Sequence, residues 1–482
     1  MMGTNEERQG QLDTRGAAVS ETTSGRAPEA AALQAEAVAL ARDLLSIDTS
    51  NPPGRETAAA ELLAGYLEGN GVACELVARD PERANVVARL GGRGGKRRRS
   101  LMLLGHTDVV PAEPGSWRHP PFGGVLDDDG YLWGRGALDM KNEVATRAVA
   151  MAALARSGER LDGDLVFVAV SDEEDGTNRV GMSWLVEARP DLATDYVLNE
   201  GAAERLVLAD GRTVATLSVG EKAATAVRVT ALGTPGHSSV PYDVVHAVPV
   251  LAELIGRLAR FRPRRRLIPP TRALLQALLG DEAAGTEDDL DGAIERAAGL
   301  HPALPGLIKP LFSTTIAPTR LLGSEALNVL PARASVDCDC RLLPGTTLEE
   351  LRAELTEALG DDLPYELEFL DPLVGGTIST LDSPLYAVCE RFLATHDPGT
   401  ILLPTLCAGF TDSDHARRSY GSVAYGFWPT RRTPHEVWST TVHGHDERVH
   451  ADDLGYATVF HIEACRALLG SGSAPQSPRR TD

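Results

Sequence analysis

A histidine and an aspartate one residue apart, His106 and Asp108, close the apolar run 101–104 in Gly105-His-Thr-Asp108. On extended backbone, positions i and i+2 point to the same side, so one side chain can ligate a metal while the other orients the imidazole. The arrangement gains weight because acids recur at equivalent places. Asp139 follows the short run 131–133 and precedes a helical pattern that starts at Glu143; Glu173 and Glu174 follow the run 165–170; Glu200 follows 196–198. Taken singly, each acid is explained as a helix cap or a loop charge. Together they occupy the carboxyl ends of four successive strands, where open α/β sheets bind ligands. At least four carboxylates in one crevice are tolerated only beside cations. Imidazole and carboxylate without thiolate suit Zn²⁺, with Co²⁺ or Mn²⁺ able to substitute. If Asp139 bridges two ions, three ligand carboxylates and one hydroxide balance the charge of the pair, which favours two metals over one.

Positioning these groups falls to the segments around them. Continuous apolar runs at 73–77, 85–90, 101–104, 165–170 and 196–198 have the length and texture of strands buried on both faces. Helical spacing at 29–46, 56–68, 143–156 and 182–187 alternates with them, which predicts an α/β unit with a mostly parallel sheet. From 221 the texture changes. Alternating strands at 226–231, 335–341 and 365–370, with amphipathic helices at 245–260 and 347–359, predict a small two-layer α+β domain. The α/β texture resumes at Ser383, with a helix to Ala394, a strand at 422–427 and a closing helix at 451–469. The expected architecture is therefore a discontinuous catalytic domain, 29–220 and 374–469, with an inserted domain at 221–373. Within the insertion, 262–307 reads as an elaboration of that domain's surface, with its helix at 274–279 packing back on it. The polar segments 1–28 and 470–482 are expected to be disordered.

The 482 residues carry 68 acids against 47 bases, a formal charge of -21, which argues against a grip on nucleic acid or an anionic membrane surface. The basic run Lys96 to Arg99, after Gly91-Gly-Arg-Gly-Gly95, reads as a solvated hairpin tip. Six scattered cysteines without a CxxC pair predict reduced thiols; Cys338 and Cys340 share one strand face and read as small packed side chains. With neither a signal peptide's apolar core nor a run of transmembrane length, the expected location is cytoplasmic. No Gly-x-Ser-x-Gly elbow supports a serine hydrolase.

Eight motifs occur in order along 33–469: Gly105-His-Thr-Asp-Val, Gly134-Arg-Gly-Ala-Leu-Asp-Met-Lys, Asp172-Glu-Glu, Asn199-Glu-Gly, Gly236-His, Asn328-Val-Leu-Pro, Asp339-Cys-Arg341 and His443-x-x-Asp-Glu447. Together they resemble the zinc metallopeptidase and amidohydrolase family of acetylornithine deacetylase, succinyl-diaminopimelate desuccinylase, aminoacylase and glutamate carboxypeptidase. The resemblance implies that His106, Asp139 and Glu200 hold one zinc, and Asp139, Glu174 and His443 the other. It implies that Asp108 orients His106, and that Glu173 is the general base for a hydroxide bridging the metals, passing the proton to the leaving nitrogen. His237, in the inserted domain, is implied to stabilise the oxyanion, often in a partner subunit's site. Asn328 and Arg341 look like substrate contacts, and a guanidinium suits a carboxylate. The expected activity is zinc-dependent hydrolysis of an amide or peptide bond in a small substrate with a free carboxylate, carboxypeptidase- or dipeptidase-like. The alternatives are deacylation of N-acyl amino acids and, more distantly, an inactive binding homologue; the latter usually loses a ligand or the base, and here all are present. A homodimer through the inserted domain, acting as lid and dimerisation unit, is the expected assembly. Two places depart from the family's pattern: Asn142-Glu143 stands where glycines are common, and Asp414 where a basic residue is expected after Thr411-Asp-Ser413, with Arg417 or Arg418 as candidates to compensate.

Overall fold

The computed structural model describes residues 26–92, 98–201, 204–281, 289–324 and 326–470. The expected disordered ends over 1–25 and 471–482, and Lys96 and Arg97 of the basic run, lie outside the described residues. The first helix, Arg26–Leu45, reaches into the segment 1–28.

The main sheet has nine strands in the order Cys74–Val77, Asn85–Leu90, Asp164–Val170, Ser100–His106, Tyr196–Asn199, Val423–Gly426, Thr213–Glu221 and Thr400–Cys407, with Arg205–Val207 paired off that path. Ser100–His106 runs parallel to both neighbours, and Tyr196–Asn199 runs parallel to Val423–Gly426. The Cys74–Val77 and Asn85–Leu90 strands add an antiparallel edge. Both faces are covered, which is why these strands read as unbroken apolar runs. Leu101, Leu103, Leu165 and Phe167 pack with the helices Arg26–Leu45, Lys141–Ser157 and Ala451–Leu469. Met102, Leu104, Val166 and Val168 face the opposite layer, which includes Met182 and Leu185.

One of the four strand-end positions is corrected. Tyr131–Trp133 does not join this sheet; it is the middle strand of a small antiparallel ladder between Val125–Leu126 and Arg448–His450. A three-residue apolar run carries no information about which sheet it enters. Asp139 thus arrives from beside the segment that follows His443.

A separate antiparallel sheet is ordered Thr315–Leu322, Arg333–Leu342, Ala223–Leu232, Tyr365–Phe369, with Val374–Gly375 also paired to Ala223–Leu232. Val227, Val229, Val336, Cys338 and Cys340 project from one face onto the helices Ala247–Arg260 and Leu348–Leu359. Both cysteines are buried, free thiols, as their alternation predicts.

The segment expected to decorate the inserted domain packs elsewhere. Leu274, Leu275 and Leu278 of the helix Pro269–Leu279, Ile294 of Leu290–Ala298, and Ile308, Leu311 and Phe312 all belong to the core of the main sheet. Pro269–Leu279 lies against Thr400–Cys407, a strand the sequence reading missed. That strand contains Pro404, which interrupts a strand signal and is tolerated because the strand lies at the sheet edge. Lys222, where the chain passes between sheets, is buried. Its N–H donates to the Cys407 carbonyl (3.0 Å) and its Nζ to the carbonyls of Pro310 and Ser313 (both 2.9 Å). Burial pushes the Lys222 ammonium down to about 8. No helix of the described residues is long and apolar enough to cross a membrane.

Candidate metal centre

Three parallel strand ends and two loops converge on one crevice. His106 is the last residue of Ser100–His106 and is 1% exposed. Asp172 follows the strand Asp164–Val170 with a left-handed φ of 61°, turning the chain so that Glu173 and Glu174 come beside His106. Glu200 directly follows Asn199. Asp139 precedes the helix Lys141–Ser157, and His443 follows His435–Thr441 in another left-handed conformation, φ 58°.

The Asp139 carboxylate lies between the two histidines. Its Oδ1 is 3.1 Å from His106 Nε2, and its Oδ2 is 3.1 Å from His443 Nε2. Glu200 Oε2 is 3.5 Å from His106 Nε2, and Glu174 Oε2 is 3.1 Å from His443 Nε2. Ligand atoms of His106, Asp139 and Glu174 lie within 4.8 Å of one another, as do those of His106, Glu173 and Glu200. The two groups share His106, and Asp139 stands between that histidine and His443.

Buried carboxylates dominate its electrostatics. Burial pushes Glu173 well above the usual carboxylate range, and the charge of Glu200 adds to it. Glu174 is pushed up to about 7 by burial and by Asp139. Hydrogen bonds to Asp139 and Glu174 lift His443 to about 10. Burial opposes protonation of His106, yet the charge of Glu200 and hydrogen bonds to Asp108 and Asp139 raise it well above its ordinary value. The buried oxygens Glu174 Oε1 and Glu200 Oε1 have no hydrogen-bond partner among the described residues. Unpartnered carboxylate oxygens beside imidazole nitrogens fit a pair of divalent ions, and the absence of thiolate from the donor set suits borderline-hard metals.

Asp108 meets His106 through its main chain and the neighbouring loop through its carboxylate. The His106 Nδ1 hydrogen bond goes to the Asp108 main-chain carbonyl at 2.9 Å, while the nearer carboxylate oxygen is 3.6 Å away. That carboxylate instead accepts the N–H groups of Glu173 (3.2 Å) and Glu174 (3.1 Å) and the Asn51 amide (2.9 Å). Asn51 also donates to Asp172 at 3.2 Å, and Arg83 bridges Asp172 to the buried Glu56. The sequence around Asn51-Pro-Pro-Gly54 shows only a break between helices, so its part in this network had no local signal.

The two departures from the family pattern have structural answers. Glu143 is buried and pushed up to about 8 by burial. It accepts from Arg147 Nη2 at 2.6 Å, and Arg147 Nη1 donates to the Leu104 carbonyl, so this pair braces the strand that delivers His106. Asp414 is 3% exposed and accepts from Thr377 and Arg418. Arg417 is spent on Glu221, at 2.8 and 2.9 Å, and on the Ala424 carbonyl. Arg417 is therefore engaged in bracing the passage between the two sheets.

The remaining site residues lie on the antiparallel unit. Arg341 is gripped by Asp339 through Nε and Nη2, at 2.7 and 3.0 Å. Burial pushes the thiol of Cys407, on the edge strand of the main sheet, up to about 12. His237 lies on an exposed two-strand ladder opposite Val329, and Asn328 just precedes that strand, with the Ser238 N–H donating to the Asn328 carbonyl at 3.1 Å. Among the described residues, no hydrogen bond or ion pair joins either to the five candidate ligands.

The chain is 29% identical over 422 residues to aminoacylase-1 of Sus scrofa, covering 86% of this chain and 90% of that protein. It is 33% identical over 440 residues to succinyl-diaminopimelate desuccinylase of Methylobacterium radiotolerans, covering 88% and 95%. Its fold superposes on the M20 family metallo-carboxypeptidase Sso-CP2 from Sulfolobus solfataricus with a TM-score of 0.65 at 20% identity, covering 89% of this chain and 98% of that one. A sequence model of the family matches residues 102–467, and with two overlapping groups of candidate ligands at its centre the chain belongs to peptidase family M20/M25/M40, a dinuclear metallohydrolase of peptides or acyl amino acids.

Proposed function

We propose that this chain hydrolyses the amide bond of a small substrate bearing a free carboxylate, using two zinc ions. The observation that carries the reading is the division of Asp139 between two histidines, Oδ1 toward His106 and Oδ2 toward His443. His106, Asp139 and Glu200 would hold one ion, and Asp139, Glu174 and His443 the other. When bound, the ions supply Lewis acidity and bring the ionisation of water toward neutral pH. Glu173, beside His106 and Glu200, takes the water proton and returns it to the leaving nitrogen. Its buried surroundings favour a carboxyl that holds a proton between those two events.

Arg341 binds the substrate carboxylate; Asp339 fixes the guanidinium and leaves Nη1 for that contact. Arg341→Ala is expected to raise KM about 10- to 100-fold, the equivalent of a charge-assisted hydrogen bond of ~1.5–3 kcal/mol, with a smaller effect on kcat. Steady-state kinetics showing an unchanged KM would remove this role.

Two acyl-group classes compete at the same metals, and the names of the relatives favour N-acyl amino acids over dipeptides, since aminoacylase-1 and the desuccinylase are matched along most of their lengths. The test is a screen of zinc-loaded protein against dipeptides, N-acetyl and N-succinyl amino acids, read by release of free amine. A protein that retains no zinc and releases no amine from any of them refutes the proposal.

A homodimer completes the reading. The strand Thr315–Leu322 is an edge with Leu321 69% exposed, and Val240 and Tyr242 stand exposed on the loop that follows His237. Pairing of two copies there delivers His237 and Asn328 to the partner's crevice, where His237 stabilises the oxyanion and Asn328 contacts substrate. Mixing inactive His237→Ala and Glu173→Ala proteins under subunit exchange should restore activity, because one crevice of each mixed dimer is intact. A strict monomer by sedimentation, with full activity, would dismiss the dimer.

A further inference from the structure

The motif His443-x-x-Asp-Glu447 contains a carboxylate that the mechanism does not use. Glu447 is fully buried. Its Oε1 accepts the N–H groups of Leu138 (2.6 Å) and Asp139 (3.0 Å); its Oε2 accepts the N–H of Gly136 (3.2 Å) and Arg135 Nη1 (2.7 Å). Arg135 reaches back from Nη2 to the Gly444 carbonyl at 2.7 Å, and the Gly134 N–H donates to the Glu447 carbonyl at 3.0 Å. The loop that presents Asp139 and the loop that presents His443 are therefore closed on each other, although Asp139 and Glu447 are 308 residues apart in the chain. The adjoining ladder, with Trp133 opposite Arg448, sets the register of this closure.

The chemistry of the side chain is specific. An ionised carboxylate offers acceptors alone, and each of its oxygens here takes two donors. An amide in the same place would turn N–H groups toward N–H groups. We infer that Glu447 is a positioning residue that fixes the Asp139 main chain before metal arrives, so that the two Asp139 oxygens are presented to separate ions. The same clasp restrains the His443 loop, whose residues His443 and Asp446 hold left-handed φ values of 58° and 61° that side chains other than glycine seldom adopt. This inference rests on the ligand assignment proposed above.

Hydrogen–deuterium exchange on the full-length wild-type chain, metal-free and zinc-loaded, tests the clasp directly. Peptides spanning 134–139 should be protected in both states; free exchange that slows only on loading would mean that metal, not Glu447, orders the loop, and would overturn the inference. Glu447→Gln removes an acceptor, and Glu447→Asp keeps the charge but shortens the reach. Both are expected to raise the zinc dissociation constant about 10- to 100-fold, as for other groups that orient metal ligands, and to alter the visible spectrum of the Co²⁺ form. A purely structural residue would lower the melting temperature of the metal-free protein while leaving zinc affinity and the Co²⁺ spectrum of the folded protein as in wild type. That result, or wild-type zinc affinity in Glu447→Asp, would overturn the inference. A wild-type chain that retains no zinc removes the ligand assignment and the clasp together; a wild-type chain with two zinc ions whose variants match it removes the clasp alone.

Discussion

Glu173→Ala is expected to keep its zinc and lose turnover by about 10²- to 10⁴-fold, the range over which a positioned acid–base group contributes. The outcome on metal is as informative as the outcome on rate. Glu173 lies within the same cluster of ligand atoms as His106 and Glu200, so geometry alone permits it to be a ligand. The assigned role requires that it is not: three residues already serve each ion. Its main-chain N–H is held by Asp108 whatever the side chain, so truncation leaves the loop and the neighbouring Glu174 in place. Metal analysis and kcat on the same preparation separate the cases. Loss of zinc would reassign Glu173 as a ligand, and near-normal kcat would dismiss it as the base.

Asp139→Asn is expected to abolish turnover and weaken both metal positions at once. The substitution is nearly isosteric and keeps a carbonyl oxygen, so packing is retained while one of two anionic oxygens becomes an amide. Since Oδ1 and Oδ2 face different histidines, either orientation of the amide turns N–H groups toward one ion. His443→Ala, by contrast, should weaken chiefly one position, because among the described residues its ion pairs run to Asp139 and Glu174 and not to Glu200. Competition with a chromogenic chelator, titrated for each variant, distinguishes a shared ligand from a terminal one. An Asp139→Asn protein that binds two zinc ions with wild-type affinity would refute the bridge.

How much of this was legible depended on whether the signal was local. Strands buried on both faces announce themselves, and the residues that end them, His106, Glu174 and Glu200, could be placed relative to one another. Alternation on Arg333–Leu342 put Cys338 and Cys340 on the inner face, where they are. Sheet membership of three-residue strands was not legible, so Tyr131–Trp133 was put in the wrong ladder. Nor was the docking of Pro269–Leu279, since an amphipathic helix declares that it has an apolar face but not which sheet receives it. The partners of Asp108 and Glu447 escaped for a related reason: most of their hydrogen bonds run to main-chain N–H groups, which no residue type encodes, and their side-chain donors, Asn51 and Arg135, are distant in sequence.

Lys222 gives the helical segment a consequence for motion. The chain passes between the two sheets near Glu221 and near Thr377, where Thr377 Oγ1 donates to Glu221 and Glu221 pairs with Arg417. The helices ending at Phe312 add a third attachment, buried in the main core and leading directly into the edge strand Thr315–Leu322. Through its Nζ, Lys222 ties this third attachment to the first crossing. A body held at a third, offset point has less freedom to turn than one held on two adjacent threads. The helices over 269–308 are therefore expected to stiffen the antiparallel unit against the main sheet, so that substitutions in their buried faces, far from the candidate ligands, would change how that unit is held.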